Sequence, residues 1–285
     1  MRATTGSILA LSMAILIAAP ARADVFSFST GDPDGKIATL SRPASTGKLE
    51  TETADDFILQ QPTRIDKASF TGLLPSGAPL SSINQVEIEL YHVFPNDSNN
   101  PPSGNVPTRT NSPADNEISS ATRDSLAGTL TFTATLLNSS FTAANSVVNG
   151  IIKFPGQFTG GEGAVTGEEV RIDVTFTPSI VLPGDHYFFR PEVGLSSGDF
   201  LWLSAPDPIV PPGTNFSPNL QTWIRNSDLK PDWLRIGTDI TKQGPFDASF
   251  SLTGETVPEP SALALLGSAL AVVAGWRLKT KYAPH

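Results

Sequence analysis

The sequence predicts a mainly β fold for its body, an antiparallel β-sandwich of jelly-roll-like kind, flanked by an N-terminal signal peptide and a C-terminal hydrophobic helix. Three observations predict this. Apolar and polar residues alternate with period two in several runs, as strands with one buried face require. Glycine and proline, 23 and 25 of 285 residues, interrupt those runs at short intervals and mark turns. The alternating runs are rich in β-branched and aromatic residues, which suit a pleated, half-buried surface.

Three segments follow in order: 1–23, 24–256 and 257–285. The first reads MRATTGSILALSMAILIAAPARA. Arg2 supplies a positive start, 8–19 an apolar stretch, and Ala21-Arg22-Ala23 a small-x-small cleavage site before Asp24.

The body opens with Gly31-Asp32-Pro33-Asp34-Gly35, half of a calcium loop whose remaining ligands do not follow. Asp55 and Asp56 stand at a loop–strand junction before Phe57. They read either as hard oxygen ligands for calcium or as solvated surface charge. No other cofactor is expected, and three scattered histidines make no zinc site. Strands are expected at 57–59 and 68–74. Val86, Ile88 and Leu90 then alternate with Glu87 and Glu89, leaving the glutamates on the face away from the core. PNDSNNPPSGNVPTRTNSPADNE, at 95–117, reads as a mobile surface loop.

Further on, Leu130, Phe132, Ala134 and Leu136 alternate with threonines, and Val170, Ile172, Val174 and Phe176 with Arg171, Asp173, Thr175 and Thr177. Between them, 146–152 reads as a tight hairpin turning on Asn149-Gly150. Strands are expected again at 186–191, 200–203 and 246–252, with one short helical piece at 220–224. Gly194-Leu195-Ser196-Ser197-Gly198 satisfies G-x-S-x-G, but the residues after it read as a strand and the only later histidine is His285, so it reads as a hairpin turn. Trp202, Trp223 and Trp233 fall within 32 residues. Core packing is the preferred reading for them, because Trp202 sits in an apolar strand; a sugar-stacking platform is the alternative.

Charge and cysteine content narrow the function. Of 19 basic and 28 acidic residues, five basic and one acidic lie in the two ends, which leaves 14 and 27 in the body, net −13. An acidic surface without a basic patch argues against nucleic-acid backbones and anionic lipid. With no cysteine there is no disulfide, thiol nucleophile or thiolate-bound metal, and packing alone must hold the fold.

The last segment contains Val257-Pro258-Glu259-Pro260-Ser261, then the uncharged run 262–276, then Arg277, Lys279 and Lys281. As a helix the run would extend about 22 Å, short of the ~30 Å hydrocarbon core, so it would span only with help from its flanks. The basic cluster places the C-terminus in the cytoplasm by the positive-inside rule. This tripartite tail resembles the PEP-CTERM sorting signal of Gram-negative bacteria. The resemblance implies that exosortase, a membrane-embedded transpeptidase, is the processing partner, with cleavage near Pro-Glu-Pro and delivery to the cell surface or an exopolysaccharide matrix. Thr53-Ala54-Asp55-Asp56-Phe57 is similar to a stretch near the start of β-sandwich domains in many such proteins. The chain continues past the basic cluster to His285, a departure from the usual pattern.

The reading that results is a non-enzymatic, exported protein, transiently anchored in the inner membrane and then released to the surface or matrix. A carbohydrate-binding module, calcium-dependent or not, is the alternative; a secreted hydrolase is the third.

Overall fold

Val170, Ile172, Val174 and Phe176 are buried on one face of β9 (Val165–Leu182), while Arg171, Thr175 and Thr177 are exposed on the other. Period-two spacing produces this split wherever one face meets a core. The computed structural model describes residues 23–152 and 158–258, and within it Asp24–Val257 is one unit built of two β-sheets. Residues 1–22 of the signal segment, the helix expected at 262–276 and the basic cluster lie outside the described residues. Among the described residues no helix is long and apolar enough to cross a membrane.

The six-stranded sheet runs β13 (Leu234–Arg235), β12 (Trp223–Asn226), β3 (Thr51–Ile58), β10 (His186–Leu195), β5 (Ile83–His92) and β6 (Arg123–Asp124). The nine-stranded sheet is organised on β4 (Thr63–Pro75), one edge of which carries β9 and then β7 (Leu130–Ala143). The other edge of β4 is shared. β15 (Phe250–Thr256) pairs along 63–70 and leads to β1 (Val25–Ser29). β11 (Leu201–Ala205) pairs at 72–73 and leads to β2 (Ile37–Leu40) and β8 (Asn145–Val147), with β14 (Asp247–Ala248) also on β11. Gly72 marks this crossing, since a Cβ there would lie 2.6 Å from the Leu201 carbonyl oxygen.

The sheets share one apolar core. Phe57, Tyr187, Phe189, Val86, Ile88 and Leu90 meet Phe70, Ile172, Val174, Trp202, Phe250 and Leu252. The rings of Phe189 and Phe250 stack at 4.9 Å and 7°. Two β-sheets closed on a common core form the expected sandwich. Its pairings are antiparallel except β2 with β8, which run parallel, and its sheets exceed the eight strands of a simple jelly roll.

Three local expectations fail, at 220–224, 146–152 and Gly194–Gly198. At 220–224 there is no helix: Trp223 and Ile224 begin β12, paired with Ala54 and Thr53, and Leu220 donates its N–H to the Asp56 carboxylate. The helical pieces among the described residues are a 3₁₀ turn at Leu80–Ser82 and a π turn at Ile236–Ile240. The hairpin at 146–152 is absent too. Glu162 accepts the N–H groups of Val148 and Asn149 at 2.8 and 2.9 Å, and neither Asn149 nor Gly150 takes a positive φ. Gly194–Gly198 is no hairpin turn, because β10 and β11 belong to different sheets. The segment 95–117 carries hydrogen bonds of its own: Asp115 accepts from the N–H groups of Asn99 and Asn100 and from Arg109, whose guanidinium is buried over the Phe94 ring.

Candidate metal centre and processing junctions

Asp55 and Asp56 lie near the middle of β3, where adjacent side chains point to opposite faces. Both are wholly buried, which overturns the reading as solvated surface charge. The cause is topological. β12 leaves the edge of β3 at Ala54, and the chain before it folds back over the two carboxylates. Asp55 Oδ1 accepts from Thr222 Oγ1 at 3.1 Å, and Oδ2 from the Ala248 N–H at 2.8 Å. Asp56 Oδ2 meets His186 Nε2 at 2.6 Å.

The fold adds a third acid to this place. Asp247, on β14, is also fully buried, and one oxygen from each of Asp55, Asp56 and Asp247 lies within 4.8 Å of the others. Sequence reading missed Asp247. The available signal was a charge directly after Phe246, at the start of the apolar run 246–252. At that spacing two ionised carboxylates repel by about 3.5 kcal/mol for an effective dielectric near 20. Burial raises the Asp55 carboxyl well above its usual range, and the charges of Asp247 and Asp56 add to it. Burial likewise raises Asp56, against the pull of His186. Asp247 is pushed up to about 8, by burial first, then by Asp207 and Asp56, with the Asn219 amide opposing. Asn219 Nδ2 reaches Asp247 Oδ2 at 3.2 Å, whereas Asp247 Oδ1 and Asn219 Oδ1 have no hydrogen-bond donor.

A second polar layer covers the outer face of the same sheet. Register places Arg225, Glu52, Glu192 and Glu87 in one cross-strand row and Arg190 beside Glu89 in the next. Glu87 and Glu89 therefore do not face open solvent: Glu89 is largely covered and Glu87 partly so. Arg225 grips Glu52 through Nε and Nη2 at 2.5 and 3.0 Å, and Arg190 Nη2 adds a contact at 2.8 Å. Burial opposes ionisation of Glu52, yet Arg225 and Arg190 hold its carboxyl far below the usual range. Glu192 shares Arg190 Nη2 at 3.1 Å but is pushed well up by burial. Two carboxylates with opposed shifts resemble an acid–base pair. Both side chains are closed to solvent, however, so no sugar ring can enter between them.

The tryptophans complete this interior. Trp202 packs in the main core with Nε1 donating to the Ser249 carbonyl at 2.8 Å, and Trp223 and Trp233 lie under the outer cover with Tyr91 and Phe188. All three are at most 1% exposed, so they offer no face for stacking a sugar. Ser196 donates its N–H to the Ser82 carbonyl, and His186 is engaged by Asp56.

At the ends of the unit, Ala23 and Asp24 are exposed, as a cleavage point requires. Asp24 N–H donates to Thr256 Oγ1, and β1 pairs with β15 in the register Val25 to Glu255. The strand leaving the expected signal-peptide site thus lies beside the strand entering Val257 and Pro258. Val257 N–H donates to the Pro62 carbonyl at 2.7 Å. Ala21, Glu259, Pro260, Ser261, Arg277, Lys279 and Lys281 lie outside the described residues.

Residues 256–279 match the model of the PEP-CTERM protein-sorting motif. No curated protein and no solved structure matches the chain. The match covers the tail and says nothing of the β body. The chain carries a PEP-CTERM sorting signal, and with it the mark of an exported protein sorted at the membrane with exosortase as its processing partner.

Proposed function

We propose that the chain is a non-catalytic component of the cell surface or extracellular matrix, and that the unit Asp24–Val257 is the part delivered. In this reading the signal peptide is removed after Ala23. The hydrophobic helix 262–276 then holds the protein in the inner membrane with Arg277, Lys279 and Lys281 on the cytoplasmic side, until exosortase acts near Pro258-Glu259-Pro260. The observation that carries the proposal is the sorting motif directly after the last strand of the sandwich. The pairing of β1 with β15 supports it, because both cuts would fall outside the strands, before Asp24 and after Val257, and leave this pairing intact. A non-catalytic role draws support from the closed Glu52–Glu192 pair and from the engagement of His186 by Asp56. Exopolysaccharide is the expected neighbour in a matrix, and contact with it would fall on surface residues other than the three buried tryptophans.

Fractionation of cells with and without exosortase tests this. With the enzyme, a shortened chain should appear in the surface or matrix fraction. Without it, a tail-bearing form should stay with the inner membrane. The same mass in the same fraction from both strains would overturn the proposal.

A further inference from the structure

We propose that Asp55, Asp56, Asp247 and Asn219 form a binding site for a divalent cation of the calcium type, one that fastens β3 of the six-stranded sheet to β14 on the nine-stranded sheet. Charge pairing elsewhere in the protein shows why this place differs. Glu52 and Glu192 meet Arg190, Asp115 and Asp232 meet Arg109, and Asp239 meets Arg235. Asp55 and Asp247 meet no Lys or Arg among the described residues, and Asp56 meets only His186. Buried carboxylates need a counter-charge or a proton, and the three gathered within 4.8 Å have only the His186 ring, beside Asp56.

A second observation is independent of the crowding. Asp247 Oδ1 is buried without a donor, in a residue wholly closed to solvent, and Asn219, a partly buried residue whose Nδ2 reaches Asp247, has its Oδ1 without a donor as well. Oxygens that accept from nothing are the atoms a cation would use. Asp55 accepts one hydrogen bond on each oxygen, so each keeps a further lone pair. The donor set is all oxygen, the nearby imidazole is turned to Asp56, and sulfur is absent from the chain's thiol inventory. Hard, flexible oxygen ligation selects calcium, or magnesium less well, over zinc or copper. Asn219 also lines an open groove of about 400 Å³ with Asp207, Leu220 and Gln221, so one residue of the site stands at an opening to solvent. The site stands apart from the sorting reading, since it concerns the body alone.

The test uses the full chain in detergent, stripped with EDTA, titrated with calcium chloride and separately with magnesium chloride in a calorimeter, with thermal unfolding in parallel. Expected is about one calcium per chain, bound with a Kd of about 10⁻³ M or tighter, and a Tm rise of roughly 5 °C or more at a hundredfold excess over Kd. Asp247→Asn should weaken calcium binding at least tenfold. In EDTA the same variant should melt no lower than the wild type, because no ion pair is lost, so loss of binding will not be mistaken for loss of fold. Asp173→Asn, on the outer face of β9, should bind as the wild type does. No calcium heat and no Tm change would overturn the site, as would an Asp247→Asn chain that binds unchanged.

Discussion

Replacing Arg225 with methionine removes a guanidinium while keeping most of the apolar stem. In the folded protein that guanidinium donates twice to Glu52, at 2.5 and 3.0 Å, and once to the Asp115 carbonyl at 3.1 Å. It also lies 4.2 Å from the centre of the Trp233 ring. In the variant Glu52 stays buried, with Arg190 at 2.8 Å and Lys230 at 3.3 Å as its remaining partners. Breaking a buried ion pair from one side costs about 3–5 kcal/mol, and a desolvated cation–π contact adds about 2 kcal/mol. The surviving Arg190 contact offsets part of this, so the expected loss is about 3–5 kcal/mol. For a domain of this size that is a Tm drop of about 6–20 °C. Urea unfolding followed by tryptophan fluorescence measures it. Glu52→Gln combined with Arg225→Met should lose less than the sum of the single changes, by about 1–3 kcal/mol, because the stranded charge is gone. A single variant within about 1 kcal/mol of the wild type, or a double variant that is strictly additive, would refute the reasoning.

Three further outcomes are expected. Burial, reinforced by Glu89 and Asp124 and opposed by Arg190, lifts the Glu87 carboxyl from 4.5 to about 7. Its contribution to stability is therefore full below pH 4.5 and is lost as pH rises to about 7, and Glu87→Gln should flatten that part of a stability–pH curve; an unchanged slope would refute the assignment. Gly72→Ala should destabilise by about 1–3 kcal/mol or more in urea unfolding, since its Cβ would press on the Phe200 ring and the Leu201 carbonyl where β11 crosses β4. Trp202→Ala should cost about 3–5 kcal/mol by the same assay, through lost packing against Phe189 and Phe250 and an unpaired Ser249 carbonyl.

Strands with one face on the core were legible in the sequence, because their alternation is local. Val170 to Phe176 and Val86 to Leu90 took the faces their spacing indicates. Illegible was the cover on the other side of the six-stranded sheet. Glu52, Glu89, Arg190, Glu192 and Arg225 look like a solvated face until the Asp115 carbonyl and the Trp233 ring, from other parts of the chain, close on Arg225. The same non-local folding hid the acid cluster. Asp55 and Asp56 are visible as a pair, but the Ala248 N–H that holds Asp55 is 193 residues away, and Asp247 arrives with it. Asn149-Gly150 misled for a related reason: a turn-forming pair makes a hairpin only when its strands are free to pair, and Glu162 had taken the N–H groups. The sorting motif was readable, since its parts are contiguous in sequence and need no fold to bring them together.

Intact-mass analysis of the protein recovered from the cell surface bears most directly on the export and sorting of this chain. The expected species begins at Asp24 and lacks the tail beyond Pro258-Glu259-Pro260. Recovery of the full 285-residue chain from the cytosol, with both ends uncut, would contradict it.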